Sequence, residues 1–379
     1  MRIIVIGGGV AGAASALALR RTGAEVTVHE AYPDPAGPVG SFLSLASNGL
    51  RALDALGCLP EVQRRGFAVA EQRMWSSDGR LLGVMPRGRL AGDDLLSVTL
   101  MRGRLVDALR TEAERAGATV HTGQRLTGLT EHADGVRAEF ADGSTAEADL
   151  LVGADGLWSA TRTLLDPTGP SPAYAGLYSV SGRSEGVPGD PAGFNMTFGR
   201  GGVFVHLPAP DGSTWWSAQV ATPEPPDLAT VPLTDWPARL ADLYRHESLP
   251  LTLLRATTEV HRPTLMHTLP AVPAWHGRRT VLVGDAAHPV GAGQGASMAL
   301  EDAVVLAQVL SRAGSLADYE QLRRARVGRM LKAAAANRDA KKAGPVGRRV
   351  NDLVLPLVFR HFYPRSTAWL YTHELGSLA

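Results

Sequence analysis

The chain has 379 residues, enough for one two-lobed unit or two modest domains, because single hydrophobic cores stop growing at roughly 250–300 residues. Its 38 basic and 37 acidic side chains leave no charge imbalance to draw it to nucleic acid or an anionic membrane, so small, near-neutral partners are expected. One cysteine, Cys58, excludes an internal disulfide framework, a four-thiolate iron–sulfur site and a CxxC redox pair.

The apolar run Ile3-Ile4-Val5-Ile6 is too short for a secretory signal, and no stretch approaches the roughly 20 apolar residues that span a bilayer. A cytoplasmic protein without a membrane span is therefore expected, with the proline-broken segment Leu353–Phe359 read as core. That opening run, a glycine turn, the Ala-rich segment Ala11–Arg21 and the second run Glu25–Glu30 predict a β-α-β unit with parallel strands. Helices are predicted over Asn48–Leu56, stopped by Gly57, and over Arg102–Arg115, where Leu105, Ala108, Leu109 and Ala113 share a face. Asp-Gly steps at Asp78-Gly79, Asp142-Gly143 and Asp211-Gly212 predict hairpin turns.

From Pro167 to Pro273, short strand-like runs such as Gly202–Leu207 and Trp215–Val220 predict a second lobe of mainly antiparallel sheet. The apolar strand Arg279–Asp285 and a helix over Ser297–Leu310 then return to the first lobe, which is thus discontinuous. The Ala-rich stretch Lys332–Lys342 reads as helix.

Gly7-Gly8-Gly9-Val10-Ala11-Gly12 satisfies G-x-G-x-x-G between a predicted strand and a predicted helix. Gly7 permits the tight turn, Gly9 lets backbone approach a pyrophosphate, and Gly12 allows helix and strand to pack closely. The helix start offers free N–H groups to a diphosphate. Glu30, 18 residues after Gly12, stands where an acid accepts hydrogen bonds from a ribose and repels a 2′-phosphate. The ligand is then FAD or NAD rather than NADP, a choice this motif leaves open.

Two further segments carry a resemblance. Asp149–Arg162, with Asp155-Gly156 at its centre, is similar to the "DG" segment of the para-hydroxybenzoate-hydroxylase-like (class A) flavoprotein monooxygenases. Gly284-Asp285-Ala286-Ala287-His288-Pro289 resembles their "GD" segment, and Gly293-Gln294-Gly295-Ala296 with Glu301-Asp302-Ala303 resembles the stretch on its C-terminal side in those proteins. Met101–Leu105 resembles the segment holding a flavin-contacting arginine, aligning Arg102. The resemblance spans residues 1 to about 310. It implies that Asp285 binds the ribityl or ribose side of FAD, that Arg102 reaches its backbone or pyrophosphate, and that Asp155 and Gly156 shape the flavin and nicotinamide access region. His288 reads as scaffold. A glycine-rich turn opening a helix at Gly293–Ala296 aims N–H groups at whatever lies above it, and there would stabilise a reduced flavin anion. Many relatives carry a Pro-Phe pair after the histidine; here Pro289-Val290-Gly291-Ala292 makes that loop about two residues shorter.

The fold expected is α/β: a Rossmann-type FAD-binding domain over 1–75, 100–166 and 274–330, a substrate domain over 76–99 and 167–273, and a helical C-terminal region over 331–379. Candidates for the substrate pocket are Tyr178, Arg183, His206, Trp215 and Trp216, each more readily read as ordinary sheet surface or core. The activity implied by the resemblance is reduction of FAD by transient NAD(P)H, reaction with O2 to a flavin C4a-hydroperoxide, and oxygen insertion into a small, aromatic or polycyclic organic substrate. Hydroxylation, epoxidation and Baeyer–Villiger insertion stay open. The alternatives are a flavin-dependent halogenase or ene-reductase and a non-catalytic FAD-binding scaffold. A halogenase would need a Trp-x-Trp-x-Ile-Pro segment, which is absent, and a catalytic lysine, where the chain offers only Lys332, Lys341 and Lys342.

Overall fold

The computed structural model describes residues 1–34, 41–187, 193–291, 293–341, 354, 356 and 363–378. The first lobe opens with β1 (Arg2–Ile6), α1 (Val10–Arg21) and β2 (Glu25–Glu30), followed by β3 (Phe42–Leu45), α2 (Ser47–Ala55), α3 (Leu59–Arg65) and β4 (Phe67–Val69). Next come β5 (Glu71–Trp75), β6 (Leu81–Pro86), β7 (Ser97–Met101) and α4 (Arg102–Arg115). The segments β8 (Thr119–Thr122), β9 (Leu126–Glu131), β10 (Val136–Phe140), β11 (Thr145–Ala148), β12 (Leu150–Gly153) and α5 (Ala160–Leu165) complete this half.

The second half holds β13 (Ala173–Ser184), β14 (Phe194–Phe198), β15 (Gly202–Pro208), β16 (Thr214–Ala221), α6 (Trp236–Leu243), α7 (Ser248–Arg255) and β17 (Thr257–Thr268). It closes with β18 (Thr280–Leu282), α8 (Gly295–Ser311), α9 (Leu316–Lys341) and, as α10, Tyr363–Tyr371. Most of the apolar segment 353–359 lies outside the described residues.

Strands β18, β12, β1, β2 and β8 form a parallel sheet in that order. Ile3–Ile6 are buried, as a strand covered on both faces requires. The register sets Ile6 beside Gly153 and Gly153 beside Leu282, so the chain leaves β1, β12 and β18 at one sheet edge, side by side. Three segments distant in sequence therefore meet at the carboxyl ends of the strands, where open α/β sheets place their ligands. Helix α1 packs against α4 and α8 on one side of the sheet.

The second lobe is a sheet ordered β17-β13-β16-β15-β14-β5-β6, antiparallel except where β14 pairs with β5. Glu71–Trp75 joins this sheet through Phe194–Thr197, while Ser97–Met101 pairs with β3 and β4. The boundaries expected after 75 and 99 thus move to follow strand pairing, which local sequence does not reveal. Helices α6 and α7, unforeseen in a stretch read as sheet, cover one face of the lobe with Trp236, Leu240, Tyr244, Leu253 and Leu254. The Asp-Gly turns close three hairpins, β5–β6, β10–β11 and β15–β16, with Gly79, Gly143 and Gly212 all at φ +82°.

Candidate cofactor and substrate site

Gly7 has φ +101°, and a Cβ there would lie 2.5 Å from the Ala154 carbonyl oxygen. At Gly12 a Cβ would meet the Gly7 oxygen at 1.8 Å. Above Gly9 the nearest atom to an added Cβ is an Arg102 Nη at 3.7 Å, so the turn lies open to a ligand. No side chain caps α1, and its first helical bond runs from the Ala13 N–H to the Gly9 carbonyl, leaving the N–H groups of Val10, Ala11 and Gly12 outside the ladder. Buried Glu30 accepts from the Gly8 N–H at 2.6 Å and, through its other oxygen, from the Tyr32 N–H at 2.8 Å. It therefore braces the glycine turn, and each oxygen keeps a further lone pair.

Arg102 opens α4 and is exposed, and among the described residues its guanidinium has no hydrogen-bond partner. Asp285 follows Gly284, which turns at φ +58° under Ala11. The Asp285 side chain reaches open space yet is walled by protein: burial pushes its carboxyl up, opposed by His288, by Arg102 and by the Val290 N–H. That combination describes a carboxyl at the bottom of a cleft, facing the arginine.

A Cβ on Gly295 would stand 3.6 Å from Asp285 Oδ1, so the Gly293–Ala296 turn adjoins this acid. No side chain caps α8 or α2. A Cβ on Gly49 would fall 2.5 Å from Ser297 Oγ, so the two helix starts abut. Around them Ser47 Oγ, Asn48 Oδ1, Gln294 Oε1 and Ser297 Oγ are buried without a protein partner. Of these, Ser47, Asn48 and Ser297 carried no site signal in sequence; the one hint was that Asn48 and Ser297 each open a predicted helix.

Asp155 is occupied internally: Ser159 Oγ donates to it at 2.5 Å, and Thr161 donates through N–H at 2.9 Å and Oγ1 at 3.0 Å. It sets the turn through Gly156, at φ +76°, and the start of α5. Arg162, from the same segment, bridges the strand ends by donating to the Ala286 carbonyl at 2.9 Å and the Leu157 carbonyl at 2.8 Å.

Behind the cleft lies a buried ion network. Asp302 Oδ2 accepts from the Gly284 N–H at 2.8 Å and pairs with His288 Nε2 at 2.7 Å, while Oδ1 accepts from Arg323 Nε at 2.7 Å. Glu301 is held by Arg323, by both ends of the Arg326 fork and by Asn48. Burial alone would raise the Asp302 carboxyl, but His288 and Arg323 bring it well below the usual range. His288 is thus a positioning residue for the Gly284-Asp285 turn.

The substrate-lobe candidates separate by strand parity. Tyr178, His206 and Trp216 point to the α6/α7 side: Tyr178 meets the Trp236 ring, Trp216 stacks on Phe204, and all three are buried behind the sheet. Burial pushes the His206 imidazole down to about 4. Arg183 is ion-paired with Glu185 and Asp211 at the rim. Tyr178, His206 and Trp216 face away from the first lobe, which corrects the sequence expectation for them, whereas Trp215 faces it, lying 5.7 Å from the Phe42 ring and 5.3 Å from Phe67, and Arg183, its cross-strand partner, shares that side of the sheet. On Trp215's side of the sheet, Ser179 bonds Ser217 and Ser181 bonds His261. A cavity of about 360 Å³ opens between Leu177 of β13, Met266–Thr268 of β17, the loop residues Pro289 and Gly291, and Leu331–Ala335 of α9.

A family model described as an FAD binding domain matches residues 1–334. The chain belongs to this FAD-binding flavoprotein family. The aurachin C monooxygenase/isomerase of Stigmatella aurantiaca is 33% identical over 340 residues, 85% of each chain. The kynurenine 3-monooxygenase of Salinispora arenicola is 34% identical over 366 residues, covering 89% of this chain and 79% of the relative. Klebsiella pneumoniae HpxO, solved with FAD and uric acid, shares the fold at a TM-score of 0.83 and 23% identity, over 98% of this chain and 97% of its own. The flavoprotein is an FAD-dependent monooxygenase with NAD(P)H as electron donor. Among its described residues no helix is long and apolar enough to cross a membrane.

Proposed function

We propose that this monooxygenase hydroxylates a small planar aromatic or polycyclic compound with O2, and that it works in the cytoplasm, where NAD(P)H is supplied. The observation that carries the reading is the row of ligand-ready groups along the cleft. It runs from Glu30 and the uncapped start of α1, past Arg102 and Asp285, to the uncapped starts of α8 and α2 with their unpartnered Gln294, Ser297, Ser47 and Asn48 oxygens. Such a row fits an elongated dinucleotide, with the adenosine ribose at Glu30, the pyrophosphate at Gly7–Gly12 under Arg102, the ribityl chain at Asp285, and the flavin ring at Gly293–Ala296.

When bound, FAD supplies hydride acceptance from NAD(P)H and the activation of oxygen. The chain does the rest. Backbone N–H groups at Gly293–Ala296, backed by the α8 dipole, would hold negative charge on the ring without a cationic side chain. The sheet face bearing Trp215, Val203, Val205 and Leu207 presents an apolar wall that excludes water from the reacting atoms. Relatives named for aurachin C and kynurenine support an aromatic substrate. The test is single-turnover oxidation of the NADPH- or NADH-reduced protein under ¹⁸O2 across phenols, quinolones and aromatic amino acids. One labelled oxygen in the product is expected; oxidation that yields peroxide alone with every compound would refute it.

A further inference from the structure

The cavity of about 360 Å³ at the β17 edge of the seven-stranded sheet falls within the size range of small-molecule sites, yet it lies outside the row of cofactor groups. Leu177 alternates with Tyr178, which packs on the helices, so Leu177 stands on the sheet face that looks toward the first lobe, with Ser179 and Trp215. Met266 does likewise, because its neighbour Leu265 belongs to the α6/α7 cluster. Across from them the loop residues Pro289 and Gly291 close the space. The same loop adjoins the flavin-ring end of the cleft: the Val290 N–H donates to Asp285, and a Cβ on Gly295 would stand 3.2 Å from the Val290 carbonyl oxygen. One stretch of backbone thus borders both the cleft and the cavity.

The composition of the walls keeps this space open. Between His288 and Gly293 the loop is about two residues shorter than in the proteins its segment resembles, and its one large side chain, Val290, is turned into the core of the first lobe. The sheet contributes Ala175 and α9 contributes Ala334 and Ala335, small side chains where larger ones would fill the volume. No carboxylate and no arginine is among the described residues that line it. His267 is pinned, with its ring T-shaped to Trp158 at 5.0 Å and its Nδ1 donating to the Leu265 carbonyl at 3.2 Å. Lys332 is exposed, so its ammonium stays in water at the rim. An apolar space whose only charge stands at the mouth suits a hydrocarbon group and offers no partner to a buried charge.

We propose that this cavity is a subsite for an apolar extension of the substrate, a hydrocarbon chain carried on the aromatic ring and running past Pro289 and Gly291 toward α9. This rests on the aromatic-monooxygenase reading above and narrows its substrate class. The test uses the FAD-loaded protein and follows the shift of the flavin absorption band on titration with 4-alkylphenols and 2-alkylquinolones bearing methyl, propyl or hexyl chains. In at least one series each added methylene should lower Kd about threefold, and the hexyl member should bind at least thirtyfold tighter than the methyl member. Any greasy surface favours long chains, so the filling variants Ala175→Leu and Ala335→Leu locate the effect: each should raise the hexyl Kd at least tenfold and leave the methyl Kd within twofold. Equal affinity along both series, binding of no member, filling variants that leave the hexyl compound unchanged, or equal weakening of hexyl and methyl members would overturn the inference. If Ala175→Leu loses FAD, Ala335→Leu decides alone, since leucine is a good helix former and leaves α9 intact. Oxygenation of short-chain aromatics with no chain selectivity would sink this inference and leave the proposed function standing; chain-selective binding without oxygenation would do the reverse.

Discussion

Substituting Asp302 by Asn tests whether the buried network positions the cofactor turn. Two carboxylate oxygens face three donors, the Gly284 N–H, His288 Nε2 and Arg323 Nε. An amide has one oxygen and one NH2, so in either orientation its NH2 confronts an N–H that cannot accept: Arg323 in one, Gly284 in the other. The change also removes one of the two carboxylates balancing the buried Arg323. Breaking a buried pair from one side costs about 3–5 kcal/mol, which is the expected loss in urea unfolding at pH 7. Because Gly284 carries Asp285, FAD affinity should also fall, by roughly tenfold for each 1.4 kcal/mol of cleft distortion. The pH dependence supplies a second check. The folded-state carboxyl is depressed, so its stabilisation is present above the unfolded value of about 4 and is lost as pH falls through the folded one. The difference between wild type and Asp302→Asn should then be flat from pH 8 to 5 and shrink only below about pH 4. A loss under about 1 kcal/mol with unchanged FAD affinity would refute the reasoning.

Gly12→Ala places a methyl 1.8 Å from the Gly7 oxygen, so α1 must move off β1; overpacking of this kind costs about 1–3 kcal/mol, and FAD retention through gel filtration should drop. Trp216→Ala, in the core beneath α6 and α7, should destabilise by about 3–5 kcal/mol with ligand affinity unchanged once folded, while Trp215→Ala should chiefly alter ligand Kd read by flavin absorption. His206 is neutral when folded, with its imidazole lowered to about 4 by burial, so stability is full above about pH 6.5 and falls as pH drops toward 4. Wild type should lose roughly 3 kcal/mol over that window and His206→Phe should lack this part of the slope, as chemical denaturation at several pH values would show.

Local signals were legible wherever near neighbours impose the geometry. The Gly7–Gly12 turn, the three Asp-Gly hairpins and the Arg102–Arg115 helix lie where the glycines and the apolar spacing placed them. The substrate lobe was legible only as sheet. Its helices α6 and α7 lie in a proline-broken stretch whose pattern is helical only when packed on Tyr178 and Trp216.

The amino-acid order by itself determined the nucleotide-binding turn and the family, because each rests on contiguous residues whose backbone needs are local. Tertiary structure alone decided which strand face meets the cleft. Side chains alternate with a period of two, so one residue separates Trp215 at the cleft from Trp216 in the core, and the choice follows from seven strands pairing in register. It alone also brought Ser47 and Ser297 together, since the starts of α2 and α8, far apart in sequence, meet only in the folded chain.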